Sequence, residues 1–386
     1  MVRAIILGAG FVGAHLAVGL ERIKAGKVKP YGIPLANIRL PYKVEDIEIV
    51  GVYDVDASKI GRSLHEIAKE VFGNDYPVPE KLKELKIRKG LHLGSLTGLS
   101  AKVSGIEEEV GLKKAIDKLV EEWGALKPDV IVNVITTEKC SAFKELSRLE
   151  DAIGSERRDD ISATQAYAYA TAKYAERYGK GIAFVNTIPA TIANDPAFVE
   201  LYERTGAVVF GDDGATGATP FTADVLEHLA QRNRYVKFVV QFNIGGNTDF
   251  LALSHPERNK MKEITKSSIV ADILGYDAPH YIKPTGYLEP LGDKKYVAMH
   301  IEYISFNGFV DEIYVNARIN DSPALAGMIV DLIRLGKIAA DKGVKGTSYI
   351  VNAFFMKMPG PKDAKSISKI LAYYKLLDWL GVELVR

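Results

Sequence analysis

The stretch AIILGAGFVGAHLAVGL, residues 4–20, limits what this chain can fold into more than any other. An apolar run through Leu7 meets three glycines, Gly8, Gly10 and Gly13, spaced G-x-G-x-x-G, and a second apolar run follows. That order predicts a buried strand, a tight turn and a helix from about Val12. The glycines have separate tasks: Gly8 makes the turn, Gly10 admits a pyrophosphate close to the backbone, and Gly13 lets the helix pack near the strand. Phe11 and Val12, where the helix opens, offer N–H groups to the phosphates. With Arg3 ahead of the apolar run, the first twenty residues superficially resemble a signal peptide, but the glycine spacing assigns them to a dinucleotide-binding turn. No other apolar run approaches the roughly 18–20 residues of a membrane span.

The acidic residue that usually holds the adenosine ribose comes late. IEIVGVYDVD, residues 47–56, reads as the second strand and leaves Asp54 as the ribose ligand, with Asp56 as the alternative. The segment KAGKVKPYGIPLANIRLPY is then an insertion in the first crossover. An acidic partner favours NAD over NADP, because it repels a 2′-phosphate. PDVIVNVITT and GIAFVNTIPA read as further parallel strands presenting ligands at their carboxyl ends, and SATQAYAYATAKYAERYG between them has helical composition.

After about residue 240 the pattern changes. YVKFVVQFNIGGNTDF is a strand entering a glycine-rich loop, and Ser254 to Glu257 gives a capping-box signature for a following helix. VAMHIEYISFNGFVDEIYVNARI is an antiparallel hairpin turned at Asn307-Gly308. DSPALAGMIVDLIRLGKIAADKG starts a helix, and TSYIVNAFFMK with KSISKILAYYKLLDWLG supplies a final strand and helix that return to the first domain. The expected fold is α/β: a dinucleotide-binding domain over 1–240 and 343–386, interrupted by an inserted unit over 241–342.

Within the inserted unit, KMKEITKSS at 260–268 crowds three lysines into nine positions. Lys262 and Lys266, four apart, share one helix face and repel each other, which is ordinarily tolerable only on a solvated surface. The chain as a whole does not favour an anionic partner: 50 basic against 49 acidic residues leave a formal net charge of +1, so neither nucleic acid nor an anionic membrane is expected. Any positive site is therefore local. The one cysteine, Cys140, excludes an internal disulfide framework and a Cys-rich zinc site, fits a reducing cytoplasm, and reads as a small buried apolar residue.

The motifs GAGFVG, NIGGNTDF, KEITKSS, PLGDKK and NDSPALAG, with VNAFFMK near the end, resemble the myo-inositol-1-phosphate synthase family, most closely its shorter archaeal and bacterial type. The resemblance implies a discontinuous Rossmann-type NAD-binding domain with an inserted α+β catalytic and tetramerisation domain, and a homotetramer. It implies NAD as bound cofactor and D-glucose 6-phosphate as substrate. C5 is oxidised, C6 is deprotonated and attacks the C1 aldehyde, and the C5 ketone is reduced again, giving 1D-myo-inositol 3-phosphate without net redox.

That reaction gives the lysines a purpose. Enolisation and ring closure place negative charge on two oxygens in turn, and fixed ammonium groups stabilise it. Burial and mutual repulsion also lower a lysine pKa until it can accept a proton. The resemblance places the active-site lysines at Lys262, Lys266, Lys295 and Lys357, with Lys294 as the alternative to Lys295, and gives Lys357 the hydride and proton transfer at C5. The acids fall on Asp213, with Asp212 beside it, on Asp249, and on Asp321, which can also cap the helix that Pro323 begins. Gly214, Thr216, Gly217 and Thr219, just ahead of a helix, form the expected phosphate cradle. Asn133, Thr136, Thr137, Asn186 and Thr187, at strand ends, match family positions near the NAD ribose and nicotinamide. A divalent metal or a monovalent cation can sit on Asp249 or Asp321 with substrate oxygens. Three other functions compete: an ordinary NAD-dependent dehydrogenase, a silent NAD-binding scaffold, and a cyclase of another sugar phosphate.

Overall fold

The structure, a computed structural model, describes residues 1–98, 102–253 and 269–382. Its strands are β1 (Val2–Leu7), β2 (Ile47–Asp54), β3 (Ile87–Lys89), β4 (Val130–Asn133), β5 (Ala183–Asn186), β6 (Val208–Phe210), β7 (Tyr235–Gly245), β8 (His280–Tyr287), β9 (Lys294–Ile304), β10 (Val310–Asn320) and β11 (Gly346–Thr347). Seven of them form one sheet in the order β3-β2-β1-β4-β5-β6-β11, parallel throughout. Parallel strands need crossovers, so helices cover both faces and the strands are apolar on both sides. In β1, Val2, Ala4 and Ile6 enter one core with the helices Phe11–Lys24 and Asp321–Asp341. Ile5 and Leu7 enter the other, with the helices Leu112–Leu126 and Ala163–Tyr178. The order reverses between β1 and β4, which opens a crevice at their carboxyl ends.

The insertion after the first helix is tied to the helix Asp321–Asp341. Leu35 N donates to buried Asp331 Oδ2 at 2.7 Å, and Asp331 pairs with buried Arg334. A Cβ on Gly327 would lie 2.2 Å from Gly32 O, so only glycine lets the loop cross the helix there. No described helix is long and apolar enough to cross a membrane.

The remaining strands form a second sheet in the order β10-β9-β7-β8. β9 is antiparallel to β7 and β10, whereas β7 and β8 are parallel. The β9–β10 hairpin turns at Asn307 (φ 62°) and Gly308 (φ 77°). Left-handed conformation at both positions matches the twist of the strands, which is why Asn-Gly marks such turns. This sheet begins at Tyr235 and ends at Asn320. The helix Asp321–Asp341 that follows packs on the first sheet.

One element differs from expectation. TSYIVNAFFMK is not a strand: only Gly346–Thr347 pairs with β6, and Tyr349–Phe355 is a helix. An apolar run of this length is ambiguous between strand and helix, and tertiary packing decides. Val351 and Phe355, one helical turn apart, enter the core with Leu376 and Leu377 of the closing helix Lys369–Leu380.

Candidate active site

The glycine turn lies at the reversal of strand order. Gly8 has φ 106°, and a Cβ there would lie 2.8 Å from Val134 O in the neighbouring strand's loop. On Gly13 a Cβ would lie 2.4 Å from Gly8 O, so helix and strand touch backbone to backbone. On Gly10 it would meet no atom of the described residues within 4 Å, leaving that backbone open to a ligand. Beside the turn is a cavity of about 320 Å³ lined by Asp54, Asp56, Lys59, Leu91 and Tyr167. Asp54 Oδ2 accepts from Ala9 N at 2.8 Å, which ties the end of β2 to the glycine turn. Lys59 Nζ stands 3.5 Å from Asp54 and 3.8 Å from Asp56.

A second cavity of about 110 Å³ opens across Gly10, Phe11 and Val12 and is walled by Asp213, Asp249, Asp321 and Lys357. Lys357 Nζ donates to Asp213 Oδ1 at 2.9 Å, and both side chains are buried. Thr137 Oγ1 donates to Asp249 Oδ1 at 2.8 Å. Lys295 lines an adjoining recess of about 20 Å³ shared with Asp249, Asp321 and Lys357. Its Nζ donates to Asp321 Oδ1 at 2.8 Å. Glycine at 217 leaves room for that ammonium, because a Cβ there would lie 2.5 Å from it. Two lysine–carboxylate pairs and a further acid, drawn from five separate segments, thus meet beside the glycine turn.

The geometry separates residues that adjacency in sequence leaves confused. Asp212 is buried among donors: the amides of Ile192, Ala193 and Asn194 and the side chains of Asn186 and Asn194. Burial still pushes its carboxyl up to about 6, with those hydrogen bonds acting against the shift. Asp212 therefore organises the loop, and Asp213 faces the cavity. Lys294 is exposed, whereas Lys295 is 7% exposed. Asp321 does not cap its helix through its side chain; Asp293 does, accepting from Ser322 N at 2.9 Å and Ser322 Oγ at 2.7 Å.

Several expected ligands lie elsewhere. Thr136, Thr137 and Thr187 line the central cavity, but Asn133 and Asn186 are fully buried behind it. Asn133 Nδ2 donates to Asn186 Oδ1 at 3.0 Å and to Thr164 Oγ1 at 3.1 Å, so these asparagines stitch strand ends together. The expected phosphate cradle is half committed: the amides of Gly214 and Thr216 are engaged within the protein. Those of Gly217, Ala218 and Thr219, ahead of the helix Thr219–Ala230, have no partner among the described residues. Lys262 and Lys266, with the expected cap at Ser254 to Glu257, lie outside the described residues. Cys140 is buried, and burial raises its thiol pKa.

Four contributors were missed in the sequence. Asn247 and Ser322 line the central cavity, and Asp293 joins them, accepting from Asn247 Nδ2 at 2.9 Å. Asn247 and Asp293 sit inside the motifs GGNTDF and PLGDKK, which was the available signal. Lys369, in the closing helix, carried none. It is buried, and its Nζ donates to Ala353 O at 2.6 Å and Met356 O at 2.7 Å, next to Lys357. Burial lowers its pKa to about 7, Asp224 opposing and Lys357 reinforcing the shift.

Comparison with known proteins places this arrangement in context. A family described as myo-inositol-1-phosphate synthase matches residues 217–322. A myo-inositol-1-phosphate synthase-related protein of Thermotoga maritima, solved as a crystal structure, is 58% identical, with 99% of each chain covered and a TM-score of 0.94. Inositol-3-phosphate synthase of Mycolicibacterium smegmatis is 25% identical over 379 residues, covering 95% of this chain and 96% of its own. The Caenorhabditis elegans inositol-3-phosphate synthase, at 16% identity, shares the fold with a TM-score of 0.83 over 98% of this chain and 85% of its own.

Proposed function

Because the chain belongs to the myo-inositol-1-phosphate synthase family, we propose that it is an isomerase converting D-glucose 6-phosphate to 1D-myo-inositol 3-phosphate with bound NAD and no net redox. The observation that carries this reading is the meeting of Lys295–Asp321, Lys357–Asp213 and Asp249 beside the glycine turn. A simple dehydrogenase needs one proton acceptor at one carbon. An enolisation followed by ring closure needs counter-charges at two oxygens and a proton acceptor besides.

The residues support the following division of work. The glycine turn and the amides opening the helix Phe11–Lys24 hold the NAD pyrophosphate, with Asp54 at the adenosine ribose. The unengaged amides of Gly217–Thr219 receive the sugar phosphate at the start of the following helix. Lys357, held by Asp213, manages the proton of the C5 hydroxyl. A nicotinamide bound beside it would supply reversible hydride transfer at C5. Lys295, with Lys262 and Lys266, supplies positive charge to the enolate and the closing alkoxide. Asp249 and Asp321 are the oxygen donors that would hold a cation beside the substrate.

We take residues 235–320 as the inserted unit and a homotetramer as the assembly. The test of function is the product made from purified protein, glucose 6-phosphate and catalytic NAD. Inositol phosphate forming without steady accumulation of NADH is the expected result. Steady NADH accumulation would establish the dehydrogenase instead, and a different cyclitol phosphate another cyclase.

A further inference from the structure

A third cavity, of about 810 Å³, shares no lining residue with the cavities described above. His92, Glu107 and Glu108 stand together in its wall, each offering a ligand atom within 4.8 Å of the others'. Glu107 is 1% exposed. Its Oε1 accepts the amides of His92 at 3.0 Å and Leu93 at 2.8 Å, but its Oε2 is buried with no hydrogen-bond partner among the described residues. His92 Nε2 is likewise buried and without a partner among the described residues, while Nδ1 lies 2.9 Å from Glu108 Oε1. A buried carboxylate oxygen left without a partner carries a desolvation cost, and a cation bound to it removes that cost.

We propose that His92, Glu107 and Glu108 form a divalent transition-metal site outside the active site. One imidazole and two carboxylates suit zinc, cobalt or manganese, and water from the cavity completes the coordination. Two carboxylate charges balance the ion. Small side-chain movements bring the three donors to metal–ligand distances of about 2.0–2.2 Å. The ion fastens a loop with two faces: His92, Leu93 and Gly94 face the third cavity, and Leu91, Ser95 and Leu96 face the cavity beside Asp54. The competing arrangement is a purely structural contact of His92 with Glu108, near Arg158.

The experiment is titration of the full-length protein, stripped with chelator, with Co²⁺ alone. One equivalent per chain should bind with a visible absorption band and raise the melting temperature. His92→Gln and Glu108→Gln should each weaken that binding at least about tenfold and abolish the band. Both substitutions leave the Glu107 contacts to the loop amides in place, and melting curves without metal report whether the variants fold. Absence of Co²⁺ binding to the wild type, or binding and absorption unchanged in folded His92→Gln and Glu108→Gln, would overturn the site.

Discussion

Each lysine of the site is tolerable only because of what faces it. Lys357 and Lys295 are buried on carboxylates, and removing one partner of such a pair strands the other charge. Asp213→Asn should therefore lower stability by about 3 kcal/mol in urea unfolding, as well as abolish turnover. Lys266→Met keeps much of the side chain's length and deletes its charge, so NAD and sugar phosphate should still bind while turnover falls by on the order of 100 to 1,000-fold. In a single turnover, NADH absorbance should stall at no more than one equivalent per site; near-normal inositol phosphate from both Lys262→Met and Lys266→Met would return these lysines to a solvated surface. Lys369 makes a prediction in pH. Its folded pKa of about 7 lies below the ordinary 10.5, so the unfolded chain binds the extra proton across that window. Its contribution to stability rises with pH from about 7 toward 10 and is lost as pH falls back through that range. Unfolding of wild type and Lys369→Met at about pH 7 and about pH 9.5 should show this rise in the wild type only.

At the scale of elements, the glycine turn separates fold from ligand. Gly13→Ala drives a Cβ against Gly8 O, so it should cost about 1–3 kcal/mol and displace the helix. Gly10→Ala meets no atom of the described residues. It should melt like the wild type and lose NAD affinity, measured by fluorescence titration; unchanged affinity would remove Gly10 from the pyrophosphate site. The hairpin at Asn307-Gly308 was legible for a similar local reason, since the turn's geometry depends on two residues. The helix Tyr349–Phe355 was not, because its apolar run fits either period and only packing against the closing helix chooses.

For the whole molecule, the second sheet leaves a surface that the described residues do not cover. Tyr314 is 65% exposed and Phe309 67%, and β10 is an edge strand whose residues alternate between exposed and half-buried. Exposed aromatics beside an unpaired strand edge are a ready interface. Sedimentation at micromolar concentration should therefore give a tetramer, and Tyr314→Lys with Phe309→Lys should dissociate it. A wild-type monomer would refute the assembly.

Periodicity, glycine spacing and turn chemistry act over a few residues, so the sequence by itself determined the parallel sheet, the dinucleotide turn and the β9–β10 hairpin. The family motifs also pointed to the acids and lysines that meet in the cleft. Which member of each adjacent pair faces the cavity was decided by burial and partners contributed from distant segments. Asp212 takes donors from residues 186–194 and Asp213 takes Lys357, while Lys295 finds Asp321 across the start of a helix. Asn133 and Asn186 stand at strand ends where ligands are usual, yet they are bonded to each other and buried. Local patterns specify backbone conformation, but the direction a polar side chain faces depends on which distant group satisfies it, and only the tertiary structure brings that group near.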